Sequence, residues 1–224
     1  MRIGKVIFFA AIFLFISECL FSQEREVHTF RLWAFLEPEP SLEYKPKDGE
    51  KLYQYALNGI KELAPFLATG IAYGWEFTFT PSDSVRKVDE FFLLEPIQNY
   101  PAEGIKYSKP EIEDGKFICA VSVEMPDGFS ERKKIWESIA YQKLHGVGSG
   151  PFIKGAEGIR AACEEAVKTA VKENLRGVLK NKPKEITGSV IFQSPPAIHV
   201  ENGRYVVNAD FFFRTSSVVP YTVF

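Results

Sequence analysis

The sequence predicts an α+β fold of two related units, each a helix packed on a small antiparallel sheet with an Asx-Gly hairpin. Three observations predict it. Apolar residues recur at helical spacing in two stretches, 49–68 and 155–181. An alternating run follows each helix, at 71–80 and 185–193, and alternation of this kind marks a half-buried strand. Beyond each strand an Asx-Gly pair, Asp114-Gly115 and Asn202-Gly203, sits between strand-like runs, the strongest short-range hairpin signal. The chain has 224 residues, 46% of them apolar, which supplies an ordinary core for one large domain or two small ones. Its 20 Phe and 9 Tyr favour strand.

The N-terminus reads as a secretory signal over residues 1–22. Arg2 and Lys5 form a positive region, Val6–Ile16 is unbroken and apolar, and "LFSQ" follows, with cleavage expected after Ser22. The apolar run falls short of the roughly 20 residues a membrane span needs. An uncleaved anchor is the alternative. Cys19 raises lipidation, but Glu18 stands where a lipobox wants a small residue.

Residues 23–47 read as a lead-in or linker. "HTFRLWAFL" is strand-like, and the Pro-rich "EPEPSLEYKP" after it cannot be an interior strand or helix. The first unit spans 48–126. Asp48 is its expected helix cap, Pro65 is expected to kink or end that helix, and Ile71, Tyr73, Trp75, Phe77 and Phe79 share one face of the strand that follows. "VDEFFLLEPI" is a weaker strand or a short helix. The hairpin closes the unit at 105–125.

The second unit spans 127–224. Ser130 is expected to cap a short helix, and "SIAYQKLHGVG" to form a first strand. The glycines at 146, 148 and 150 are expected to let that strand leave the sheet and turn sharply into the long helix. The helix stripe Ile159, Ala162, Cys163, Ala166, Val167, Ala170, Val171 and Leu175 is rich in small residues, which let a helix lie close to a sheet. The hairpin region repeats the first in detail. Ser108, Pro110, Ile112, Gly115, Lys116 and Phe117 answer to Ser194, Pro196, Ile198, Gly203, Arg204 and Tyr205. The first copy carries an insertion near 81–107.

The chemistry-bearing patterns are sparse. G-x-G-x-x-G fails because Pro151 stands where the third glycine belongs, and there is no G-x-x-x-x-G-K-[ST], so nucleotide binding is not expected. His28, His145 and His199 are scattered, without H-x-x-x-H or H-E-x-x-H, so no metal site is assigned. "GSG" at 148–150 is not a nucleophile elbow. No catalytic, cofactor-binding or metal residue is assigned, and no cofactor is expected. Cys119 and Cys163 fit buried structural thiols better than a disulfide. Arg176, Lys180, Lys182 and Lys184 gather at a helix end, where cations complement the helix dipole, with contact to an anionic surface as the alternative. A formal charge of −2 gives no general pull toward nucleic acid. The apolar tail "VVPYTVF" packs on the domain or on a partner, because Pro220 and Thr222 break the alternation of an outer-membrane barrel strand.

Gly146, Gly148, Arg160, Ala161, Ala166 and Ala170, with the strand and hairpin that follow, resemble the FlgP/FlgT-type envelope family over Tyr141–Arg214. That family includes small outer-membrane lipoproteins and proteins that decorate the flagellar basal body. The resemblance implies an assembly or scaffold role with no catalytic residues to carry over. It implies envelope partners in flagellar or outer-membrane assembly.

Together these readings predict an exported, non-enzymatic protein of the periplasm or the periplasmic face of the outer membrane. It touches membrane through its signal or anchor segment and binds no nucleic acid. The features expected to act are the glycine stretch 146–150, the hairpin tips and the tail. The alternative is a periplasmic small-ligand binder or hydrolase. Its pocket would lie between the units, lined by Tyr73, Trp75, Phe77 and Trp136.

Overall fold

The computed structural model of the chain describes residues 25–36, 53–178 and 182–221. The signal at 1–22, Cys19, the Asp48 cap, the Pro-rich lead-in, Lys180 and the last three residues lie outside the described residues. The fold is α+β, with two antiparallel sheets and three α-helices among the described residues.

The first sheet has β6 (Lys116–Glu124) at its centre. β1 (Val27–Phe35) pairs along its whole length on one side. β4 (Ile105–Tyr107) and β5 (Glu111–Glu113) share the other side. The lead-in therefore contributes a full strand: Phe30 and Leu32 are buried, so its alternation is that of a core strand.

The second sheet runs β3 (Phe91–Pro96), β2 (Trp75–Thr80), β8 (Glu185–Phe192), β10 (Arg204–Val219) and β7 (Gln142–Pro151). β9 (Ala197–Glu201) pairs with the first part of β10. The two expected units do not each keep their own sheet, because β2, from the first, pairs antiparallel with β8, from the second. The short β4 explains the exchange. It takes the side of β6 at Val121 and Val123, so β2 finds its partner elsewhere.

Helix α1 (Gln54–Ala72) continues past Pro65, and Ile71 is its penultimate residue rather than the start of a strand. An interior proline costs about 3 kcal/mol. Beyond it, however, Leu67 and Ile71 are buried together with Ala68 and Ala72. Each large side chain contributes about 1.5–3 kcal/mol, enough to offset the proline. Trp75, Phe77 and Phe79 share the buried face as expected. The segment "FFLLEP" is strand β3.

Helix α2 (Phe129–Trp136) is capped by Gly128, not by Ser130, whose hydroxyl donates to Glu26 Oε2 at 3.3 Å. Helix α3 (Ala156–Val178) packs on β7 and β10. α1 packs on β1 and β6, and also on β8 and α3, so it ties the two sheets together. Trp33 does the same at the sheet edges: its indole N–H donates to Ile198 O at 3.3 Å, and its ring lies 6.3 Å from that of Tyr205.

Both hairpin turns form as the sequence predicts. Asp114 and Gly115 have φ of 49° and 70°, and Asn202 and Gly203 have 49° and 69°. Two consecutive positive φ values make the turn whose twist matches the flanking strands.

Candidate functional site

The glycines at 146, 148 and 150 do not turn the chain. They lie inside β7, on the face against α3, and all three are buried. A Cβ at Gly148 would fall 2.2 Å from Ala162 O, and one at Gly150 would fall 1.9 Å from Gly158 O. The reason is close approach: helix backbone rests directly on strand backbone. The signal was present in the sequence as period-two glycines followed by small residues at helical spacing.

Trp75, Phe77 and Trp136 are core residues, and Tyr73 packs partly buried against that core. They do not line a pocket as a set. Trp75 alone reaches the wall of a groove of about 390 Å³ between α1, α3 and the β2–β3 hairpin. Pro65, Phe66, Leu94 and Pro96 make its apolar walls. Its polar members are Glu62, Asn99, Arg160 and Glu164.

Helical spacing places these groups. Glu62 and Phe66 stand one turn apart on α1, and Arg160 and Glu164 one turn apart on α3. The Arg160 guanidinium carbon lies 5.3 Å from the Phe66 ring centroid, a stacking distance for a cation over an aromatic face. Arg160 lines the groove, and no carboxylate comes within ion-pair distance of it among the described residues. Desolvation by the groove wall raises the Glu164 carboxyl, opposed by Arg160, although its outer side meets water. A planar guanidinium with free donors accepts a carboxylate or phosphate with two parallel bonds. Arg160 was legible only as part of the Ala-rich helix pattern. Glu62, Phe66 and Asn99 had no signal, because nothing local links them to α3.

The remaining candidates are dispersed. His28 Nε2 lies 2.7 Å from Glu26 Oε1, His145 Nδ1 lies 2.9 Å from Asp210 Oδ1, and His199 Nε2 lies 3.8 Å from Glu201 Oε2. Among the described residues, no three His, Cys, Asp or Glu side chains converge as metal ligands. Cys119 and Cys163 are both buried and free, and burial pushes the Cys163 thiol up to about 12. Among the described residues, no helix is long and apolar enough to cross a membrane. Val218 and Val219, the start of the apolar tail, are exposed.

These features define an α+β protein in which α1 and α3 pack on antiparallel sheets and bound a mixed polar and apolar groove. The chain belongs to the protein family whose model matches residues 18–221. It is similar to a protein of Treponema pallidum (strain Nichols) described as an uncharacterized protein. The two are 26% identical over 223 residues, covering 92% of this chain and 93% of that one. No solved structure matches the chain.

Proposed function

We propose that this is an exported, non-enzymatic cell-envelope protein that acts in assembly by binding an extended segment of a partner. The observation that carries the reading is the position of β3. Among the described residues it pairs only with β2, so its outer edge is unpaired, and its Leu94 and Pro96 form one wall of the Arg160 groove. A peptide added to that edge gains backbone hydrogen bonds and sends alternate side chains into the groove, the usual logic of strand addition. Arg160 favours an acidic residue at one of those positions. Leu93 projects from the opposite face of β3 and is exposed, ready to contact the same partner.

Export rests on Arg2, Lys5 and the apolar run Val6–Ile16, and places the protein in the periplasm or on the periplasmic face of the outer membrane. The resemblance to FlgP/FlgT-type proteins supports envelope partners of flagellar or outer-membrane assembly. The test is a crosslinking pull-down from envelope fractions, comparing the wild type with a Leu94→Lys, Arg160→Glu double variant. Co-purification of an envelope assembly that the variant loses is the expected result. Identical recovery by both proteins would sink the reading.

The groove's chemistry supports a second reading. An arginine with two carboxylates, Glu62 and Glu164, complements a zwitterion such as an amino acid or short peptide. A rise in melting temperature with free amino acids, lost in Arg160→Gln, separates this small-ligand role from strand addition.

A further inference from the structure

The far end of α3 meets the start of β8 and the 81–90 loop at a second cleft, of about 180 Å³. Lys172, Arg176 and Lys182 line it, and Lys168 stands one turn back on α3. Two carboxylates oppose these four cations. Glu90 pairs with Lys172 and lies 3.8 Å from Lys168, and Glu165 lies 2.8 Å from Lys168. The Lys172 ammonium holds the Glu90 carboxyl below its usual range, so it is charged at neutral pH. Of the remaining charges at this end, Arg86, Lys87 and Lys184 stand against Asp83, Asp89 and Glu185, and Glu173 adds one further carboxylate on α3. The cleft wall itself, Lys172, Arg176 and Lys182 against Glu90, therefore carries a surplus of two positive charges on a chain whose formal charge is −2. Lys182 Nζ donates to Ser82 O at 2.7 Å, which fixes its ammonium at the mouth. Arg176 has no carboxylate within ion-pair distance among the described residues.

The rim has the opposite character. Val85 is 89% exposed, Phe91 51% and Val219 40%. All three belong to this end. Lys184 N–H donates to Val219 O at 2.8 Å, and the Arg86 guanidinium, from the loop that holds Val85, lies 4.3 Å over the Tyr221 ring. Phe91 follows Glu90 directly and opens β3.

We propose that this end of the molecule docks on an anionic phospholipid surface, with a headgroup phosphate in the cleft and Val85, Phe91 and Val219 seated at the acyl boundary. Charge complementarity favours a phosphate, and a free phosphate would leave the exposed apolar rim without a role. Cations beside protruding apolar groups are what binding at a lipid interface requires. The inference is independent of strand addition at the outer edge of β3.

The test is co-sedimentation of the purified full chain with two kinds of vesicle, phosphatidylcholine alone and phosphatidylcholine mixed with phosphatidylglycerol. Arg176 and Lys182 are both exposed, so an Arg176→Gln, Lys182→Gln variant keeps the fold. Preference for the anionic vesicles is expected. Two lost cations should weaken that binding about thirty-fold. Phe91→Ser should weaken what binding persists at high salt. Equal binding of wild type and double variant would overturn the proposal and assign the affinity to the N-terminal apolar segment. Stabilisation by inorganic phosphate without any vesicle preference would also overturn it.

Discussion

The two halves of the chain put opposite side chains at matching places. Each runs strand, helix, strand and Asx-Gly hairpin, and in each the first strand pairs with the last. β1 pairs Phe35 with Lys116, and β7 pairs Pro151 with Arg204, the residue just after the Asx-Gly turn in both cases. Counting back from those pairs, Phe30, Leu32 and Ala34 stand where Gly146, Gly148 and Gly150 stand. The difference sets the helix. With glycines beneath it, α3 lies backbone to backbone on β7 and serves one sheet. Over Phe30 and Leu32, α1 is held off by side chains and reaches β8 and α3 as well. At Gly70 it admits Trp75 and Phe192, where a Cβ would fall 2.0 Å from the Trp75 ring. One helix is a lid and the other a bridge, and strand side-chain size decides which.

Exchanging sizes breaks this contrast, and the largest effect comes from the glycine side. Gly148→Leu forces a side chain into the space of Ala162 and Ala166 backbone, and should remove about 5 kcal/mol or more, most of a typical domain's stability. Loss of the cooperative urea transition is the expected readout. Leu32→Ala removes the spacer on the other side and should cost about 3 kcal/mol through the cavity it leaves. If it cost as much as Gly148→Leu, the contrast between lid and bridge would be wrong.

The turns sharpen the comparison from the side of likeness. Gly115→Ala and Gly203→Ala meet no neighbour within 4 Å but must hold a positive φ, so each should cost about 1 kcal/mol, and the two values should agree. Gly59 on α1 also has nothing within 4 Å, so Gly59→Ala should stabilise by about 0.5–1 kcal/mol, which chemical denaturation can resolve. Gly158 on α3 has Pro151 O at 2.1 Å from the same added atom and should show the opposite sign.

Acid gives the smallest effect. Lys172 bonds Glu90 and lowers its carboxyl, so that pairing stabilises the fold above the ordinary value of 4.5 and is lost as pH falls through the lower folded value. Glu90→Gln should flatten that part of the stability profile in acid melting curves.

Local rules made much of this fold legible. The Asp-Gly and Asn-Gly turns, the stripe of α3 and the face of Trp75, Phe77 and Phe79 depend only on neighbours in sequence. What escaped depends on contacts at long range. Pro65 does not stop α1, because Leu67 and Ile71 find a buried surface that no local rule could supply. β2 pairs with β8 rather than with β6 of its own half because β4 is already seated on β6. The groove was invisible because Phe66 and Arg160 meet only when α1 crosses α3.

β10 carries one more consequence. It holds β9 along Arg204–Asn208, β7 along Arg204–Phe213 and β8 along Phe211–Val219. A ribosome makes the chain from the other end, so β7 waits without its strand partner until β10 is added. Pairings between distant segments form slowly. A premature stop before Arg204 would not merely trim the protein: it would leave three strands with no common neighbour.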